Sequence, residues 1–226
     1  ILHLTHTDIN SDSRILKELE SLSKNKKVRI TALGVHMNEE NKKYKKIEHV
    51  KIYSINLNSR KLIFLPAFIK HSLSVIELTL KMIFNSFKAK PSIIHCHDTL
   101  VLPLGVLVKL FTGSKLIYDA HELESNRNGL SNTLGKMTFF VEKLLWRFID
   151  KIIVVSPSIS DWYQKNIGIK STEIIMNSPI LSENNFDIKN DKLYFRNKFN
   201  IPDSSKIFLY IGILSEGRGI DLLIEA

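Results

Sequence analysis

PSIIHCHDTLVLPLGVLVKLFTGSKLIYDAHE, residues 91–122, reads as a strand, a crossover helix and a second strand in succession. Pro91 stops the helix before it, and Ser92–Cys96 is a short apolar run of the kind that fills a buried strand. Thr99–Phe111 has the helical period, with Pro103 near its first turn, and Gly113 ends it. Lys115–Asp119 is the next strand. Alternation of short apolar runs with helix-period segments is the sequence form of repeated β-α units around a mostly parallel sheet.

The same alternation extends both ways. Upstream, Ile1–Thr5, Val28–Leu33 and Val50–Ile55 read as strands. Asp12–Leu22 is a helix with Ile15, Leu16, Leu19 and Leu22 on one face, capped by Ser11 or Asp12. Asn38–Glu48, with Lys42, Lys43, Lys45 and Lys46, reads as a solvated loop, and Leu65–Lys88 as a long helix. Downstream, Ala120–Ser131 is a polar loop. Asn132–Ile149 is a helix with Phe140, Leu144, Leu145 and Phe148 inward. Lys151–Val155 is the sixth strand, and Ser156-Pro157 fits the N-cap and first position of another helix.

After the short run Glu173–Met176 the composition turns to Asn, Ser and Asp with little period. The expected division is therefore a first domain over 1–176, a linker over 177–205, and a second α/β alternation over 206–226. That second part reads as strand Lys206–Ile211, turn Gly212–Gly219 and a helix from Ile220. Ala226 falls inside the helix pattern, so a truncated second domain is the expectation, as is a trimmed start at Ile1.

Composition fits a folded, water-soluble protein. The 226 residues are 44% hydrophobic and 24% charged, which excludes disorder and collagen-like structure. Thirty-two basic against 23 acidic residues give a net charge of +9 and favour anionic partners: nucleotides, phosphates, nucleic acid or an anionic lipid surface. The single cysteine, Cys96, forbids an internal disulfide and points to a reducing, cytoplasmic address. The apolar stretch Leu62–Phe87 is broken by Pro66, Lys70, His71, Glu77 and Lys81, so no membrane span is expected.

In an open parallel sheet, ligands bind beyond the carboxyl ends of the strands where strand order reverses. His6 and Asp8 follow the first strand, His97 and Asp98 the fourth, Asp119, His121 and Glu122 the fifth, and Ser156 the sixth. With strand order 3-2-1-4-5-6 these groups converge on one mouth, suited to a phosphorylated or hydroxyl-rich ligand. His95 and His97 share a strand face; His95 reads as a hydrogen-bonded core residue, His97 as either core or site. Metal-ligand types are present, but no pair has H-x-x-x-H or C-x-x-C spacing, so no metal is assigned.

His121 beside Glu122 can donate hydrogen bonds and titrate near neutrality, or Glu122 is simply a loop carboxylate bonded to backbone amides. Gly212–Gly219 with Arg218 can cradle a diphosphate, or is a plain tight turn. The long helix, with Arg60, Lys61, Lys70, Lys81, Lys88 and Lys90 in and around it, either packs on the sheet or also touches an anionic membrane. No nucleic-acid motif or aromatic stacking platform accompanies the basic residues.

Five motifs occur in order: Asp12-Ser-Arg14-Ile-Leu-Lys-Glu-Leu, Ile93-Ile-His-Cys-His97-Asp98, Leu116-Ile-Tyr-Asp119-Ala-His121-Glu122-Leu, Ile152-Ile-Val-Val-Ser156-Pro-Ser-Ile, and Tyr210-Ile-Gly212 through Arg218-Gly219-Ile-Asp-Leu-Leu-Ile-Glu225-Ala. Together they resemble glycosyltransferase family 4. The resemblance implies two Rossmann-like domains in the GT-B arrangement, with acceptor mostly on the first and nucleotide-sugar donor mostly on the second. It implies a retaining, metal-independent and cofactor-free transfer to a glycan or lipid-linked acceptor in bacterial cell-surface polysaccharide synthesis, at most peripheral at the inner membrane face.

His121 and Glu122 would be catalytic, and Asp8, Arg14, His97, Asp98, Asp119 and Ser156 would meet substrate. Gly212, Arg218 and Gly219 would hold the donor phosphates. The sequence departs from the family where His6–Asp12 lacks the glycines that touch donor phosphate, and where Ile213 replaces an arginine. The family's E-x7-E segment would lie beyond Ala226, so the chain alone is expected to be inactive. Two other readings stay open: a nucleotide-sugar epimerase of the same fold, and a non-catalytic docking or membrane-associated module.

Overall fold

The computed structural model describes residues 1–36, 46–62, 64–178, 193–212, 214 and 218–225. Lys42, Lys43 and Lys45 of the lysine run, residues 179–192 of the expected linker and part of the Gly212–Gly219 turn lie outside them. The chain divides into Ile1–Asn177 and Ser178–Ala226. The first unit runs β1 (Leu2–Leu4), α1 (Ser13–Ser23), β2 (Ile30–Val35), β3 (Val50–Ile55), α2 (Ala67–Ala89), β4 (Ile93–His97), α3 (Leu102–Thr112), β5 (Lys115–Ala120), α4 (Asn132–Leu145), β6 (Lys151–Val154), α5 (Pro157–Asn166) and β7 (Thr172–Ile174).

The sheet is wholly parallel in the order β3-β2-β1-β4-β5-β6-β7. The expected order 3-2-1-4-5-6 is present, and β7 extends it from a run too short to be read as a strand. The order in which strands are added reverses at β1, which makes the gap between β1 and β4 the switch point. Right-handed crossovers then decide the layers: β1→β2 runs toward one edge, every later crossover helix toward the other. Ile15 and Leu19 of α1 accordingly pack with Ile30 and Ala32 on one face. The other face carries the larger core, where Met82, Val106, Trp146 and Tyr163 cover Leu4, Ile94, Cys96, Tyr118 and Val154.

Period-two alternation sorts residues between these faces. Leu2, Leu4, Ile94 and Cys96 enter the large core, while His3, opposite His95, points to the face covered by α1. That face holds the site described below.

Local chemistry accounts for the helix ends. Asp12 caps α1 by accepting from the amides of Arg14 and Ile15, and Ser156 caps α5 with Pro157 in its first turn. Gly113 ends α3 in the left-handed conformation at φ 69°, where a side chain is strained. The expected helix Thr99–Phe111 begins instead as a 3₁₀ turn over Thr99–Val101.

Of the expected inward face of Asn132–Ile149, Leu145 and Phe148 pack against the core, but Phe140 and Leu144 are 65% and 55% exposed, and the helix tightens into a 3₁₀ turn at Trp146–Phe148. Glu142 is buried in their place, with Oε1 accepting from the hydroxyls of Tyr118 at 2.7 Å and Tyr163 at 2.6 Å. A carboxyl that finds such donors can hold a core position, which the apolar period alone does not show.

The second unit contains short helices α6 (Tyr194–Phe199) and α7 (Ile220–Glu225). The expected strand at Lys206–Ile211 is not formed among the described residues, and Phe208 and Ile211 stand exposed. A strand holds only when another strand takes up its amides and carbonyls; none of the described residues does so here.

The close packing of α3 on the sheet gives a stability prediction. A Cβ at Gly105 would lie 2.2 Å from Cys96 Sγ and 3.1 Å from Leu116 Cδ1. Gly105→Ala should lower unfolding free energy by about 1–3 kcal/mol in urea titrations. Adding Cys96→Ala should recover part of that loss, because the two sites are in contact.

Candidate functional site

The site is built around one carboxylate. Asp119, fully buried near the end of β5, accepts from Arg14 Nη2 at 2.7 Å on Oδ1. Its Oδ2 faces His95 Nε2 at 3.3 Å, His97 Nδ1 at 3.5 Å and His121 Nε2 at 3.6 Å. Three elements place these groups for separate reasons. Asp119 lies opposite His97 in the β4–β5 register. His95 and His97 share a face because they are two apart on β4. Arg14 sits in the first turn of α1, the helix that covers that face.

The imidazoles form a chain. His121 Nε2 lies 3.2 Å from His97 Nδ1, and His97 Nε2 lies 3.0 Å from His3 Nδ1. Burial drives the His97 imidazole down to about 3 and the His3 imidazole well below its usual range, the neighbouring His95 acting in the same direction. Both are neutral at physiological pH. His121 goes the other way: burial opposes its charge, but Asp119 and Asp98 outweigh burial and raise its pKa above the ordinary value.

When His121 is charged, its Nε2–H can donate to His97 Nδ1 or to Asp119 Oδ2; in the first case His97 Nε2–H donates to His3 Nδ1, and in the second His97 Nδ1–H is left for Asp119. His3 Nε2 is a buried atom with no hydrogen-bond partner among the described residues.

Asp119 itself is held well below the usual carboxylate range. Burial pushes its pKa up, but hydrogen bonds from His121, His95 and His97 prevail. On the open side, Asp98 faces His121 Nδ1 at 3.4 Å and His6 Nδ1 at 3.7 Å. Its backbone, at φ 68° and ψ 163°, lies in a region open almost only to glycine. Strain of this kind persists where surrounding structure imposes it; here the Asp98 amide bonds the Asp119 carbonyl at 3.0 Å. Burial, reinforced by Asp98, lifts Glu124 to about 8, and burial lifts Glu18 to about 7 despite the opposing pull of His95.

Of the expected residues, Arg14, His97, Asp98, Asp119 and His121 come together. Asp8 does not join them: its Oδ1 accepts from Asn10 N and Nδ2, both at 3.0 Å, and it organises the loop after β1. Ser156 is spent as the α5 cap. Glu122 is exposed and makes no hydrogen bond or ion pair among the described residues, to backbone amides or otherwise. Arg218, Gly212 and Gly219 belong to the second unit, where Arg218 is exposed and Gly219 takes φ 68°.

Sequence reading missed His3, Glu18 and Glu124. His3 sits mid-strand, where a histidine reads as core, and only the register opposite His95 reveals its partners. Glu18 could have been found as the i+4 partner of Arg14, with which it pairs at 3.3 Å. Two groups of metal-ligating types lie with their ligand atoms within 4.8 Å of one another: His3, Glu18, His95 and His97, and His97, Asp119 and His121. They come from different strands and α1, so spacing along the chain does not show them.

The wholly parallel seven-stranded sheet and the polar mouth at its switch point define an α/β domain of the GT-B type. Solved structures with this fold include sucrose-phosphate synthase from Thermosynechococcus elongatus, with TM-score 0.69 and 15% identity, covering 99% of this chain and 58% of that one. Anabaena HepE, in complex with UDP and glucose, has TM-score 0.55 and 16% identity, covering 88% of this chain and 49% of that one. The sequence pattern of Glycosyltransferase Family 4 matches residues 25–178, and the chain belongs to that family. An uncharacterized glycosyltransferase of Methanocaldococcus jannaschii, MJ1607, is 25% identical over 189 residues, 81% of this chain and 47% of that protein. The chain thus spans about half the length of this curated relative.

Two measurements check the geometry. In an NMR pH titration, His97 and His3 should stay neutral from pH 8 to about 5, while His121 should titrate above about 6.5. Asp119→Asn should cost roughly 3–5 kcal/mol in denaturant unfolding, because it strands buried Arg14. Arg14→Met combined with Asp119→Asn should cost less than Asp119→Asn alone.

Proposed function

We propose that the chain is the acceptor-side part of a retaining glycosyltransferase that moves a sugar from a nucleotide-sugar donor to a glycan or lipid-linked acceptor. Cell-surface polysaccharide synthesis at the cytoplasmic side of a membrane, without metal or cofactor, completes the reading. The observation that carries it is a half-buried imidazole at the sheet mouth, His121, placed between Asp98 and Asp119, which favour its charged form. Family membership and the resemblance of the fold to structures bound to UDP and glucose support the donor class.

In glycosyl transfer the bond from the sugar's anomeric carbon to the diphosphate breaks, and the electron pair leaves with the diphosphate. The acceptor hydroxyl forms the new bond and gives up its proton. What the protein supplies is positive charge where negative charge grows, already oriented before the reaction. His121, with Nδ1–H and Nε2–H fixed by carboxylates, meets that need. Arg218 and the amides beside Gly212 and Gly219, in the second unit, are donor-phosphate ligands in this reading. Glu122, exposed next to His121, is free to bind a hydroxyl of acceptor or sugar, and Arg14 and His97 act behind His121 as positioning residues.

A chain covering 47% of its relative supplies part of such a site, and residues 1–226 alone are expected to turn over no donor. The test therefore uses the complete gene product with a panel of nucleotide sugars. His121→Ala should lower kcat/KM by about 100-fold or more. Because the charged imidazole is the active form, kcat/KM should fall as pH rises through the raised pKa of His121. A flat profile across that range, or donor binding indifferent to His121→Ala, would remove His121 from the reaction. Failure of every nucleotide sugar to bind would favour a non-catalytic docking module.

A further inference from the structure

Helix α2 is apolar on two faces. Its sheet-facing side buries Met82 with Ser74 and Ser86 and packs Leu78 and Ile83 against the core. Its outer side carries Ile69, Leu73, Ile76, Leu80 and Phe84 at spacings of four and three, a continuous stripe on one face. Leu80 and Phe84 are 61% and 70% exposed, and Phe64 and Phe68 at the helix entry are 79% and 82% exposed. Seven large apolar side chains in line exceed the scattered exposure of a water-facing helix.

The charge around the stripe has one sign. Residues 58–90 hold Arg60, Lys61, Lys70, Lys81, Lys88 and Lys90 against one carboxylate, Glu77. Glu77 is already committed, bonding Lys81 at 2.6 Å and the amides of Asn58 at 3.0 Å and Ser59 at 2.8 Å. At the far end of α2, its last turn opens onto a cavity of about 570 Å³ lined by Lys27, Arg29, Lys51, Lys88 and Lys90. No carboxylate lies among the described residues lining it. In sequence, residues 1–177 carry 26 basic and 16 acidic side chains, and residues 178–226 carry 6 and 7. The excess charge therefore belongs to the unit that bears the stripe.

We propose that the outer face of α2 docks on an anionic phospholipid bilayer, lying along its surface with the stripe in the acyl boundary and the basic cavity on lipid phosphates. The inference deepens the reading of a lipid-linked acceptor and rests on it only for the purpose of docking. An in-plane helix with an apolar face and flanking lysines is the form that binds such surfaces. Twenty-three residues give a contact about 35 Å long at roughly 1.5 Å per residue. The ends differ in role: α2 starts after the carboxyl end of β3, so Phe64 and Phe68 reach the bilayer on the mouth side of the sheet. A second copy of the chain is the weaker occupant, since pairing two stripes would bring two basic rims together.

The test is sedimentation of the chain with vesicles, which reads docking without any sugar transfer. Vesicles containing phosphatidylglycerol should carry the protein down, and phosphatidylcholine vesicles should not. Leu80→Glu with Phe84→Glu, both at exposed positions, should lower partitioning at least tenfold with unchanged circular dichroism. Lys51→Glu and Lys88→Glu should each lower it about fivefold, and salt should weaken it. Equal binding to both vesicle types, binding unaffected by the stripe substitutions, or inorganic phosphate binding without vesicle binding would each overturn the proposal. So would a dimer that Leu80→Glu with Phe84→Glu converts to monomer in the absence of vesicle binding.

Discussion

The ion pair between Arg14 and Asp119 organises the face of the sheet on which the site stands. Both charges are buried, and neither could remain so alone. The pair ties the first turn of α1 to the end of β5 across the switch point, and it gives three imidazoles a common acceptor. Because Asp119 stays ionised, it favours the charged form of His121, whereas burial keeps His97 and His3 neutral.

The pair also sets a direction with pH. A carboxylate held below its ordinary pKa contributes stability that is present above the unfolded value and lost as pH falls toward the folded one. Neutral His97 and His3 act in the same sense below about 6.5, since the unfolded chain takes up protons there that the folded chain refuses. Glu18 and Glu124 act oppositely, since they keep protons that the unfolded chain has released. The cluster balances these demands at neutrality, where every buried charge has a partner.

Much of this was legible in the sequence, for physical reasons. Buried parallel strands must be apolar nearly throughout, so β4, β5 and β6 stand out, and residues that follow such strands cannot avoid the mouth. His97, Asp98, Asp119 and His121 were found that way. What stayed hidden depends on pairing between elements. His3 acquires meaning only from its register opposite His95, and Glu142 holds a core place only because Tyr118 and Tyr163 turn their hydroxyls toward it. The apolar run Lys206–Ile211 shows the converse: composition suits a strand, but a strand is a relation between two segments.

The two faces of the sheet divide the work of the unit. Where α1 covers it, the interior is polar, and charges share partners in one network: Asp119 meets Arg14 and three imidazoles, and Arg14 also meets Glu18. Where α2 to α5 cover it, the interior is mostly apolar; Tyr118 and Tyr163 bond Glu142, Ser59 and Ser74 bond each other at 2.9 Å, and the Ser86 hydroxyl is buried with no hydrogen-bond partner among the described residues. Helix α2 turns Met82, Leu78 and Ile83 inward and carries a second set of large side chains on its outside, among them Phe68, Leu80 and Phe84. That outer set leaves water only when something apolar meets it.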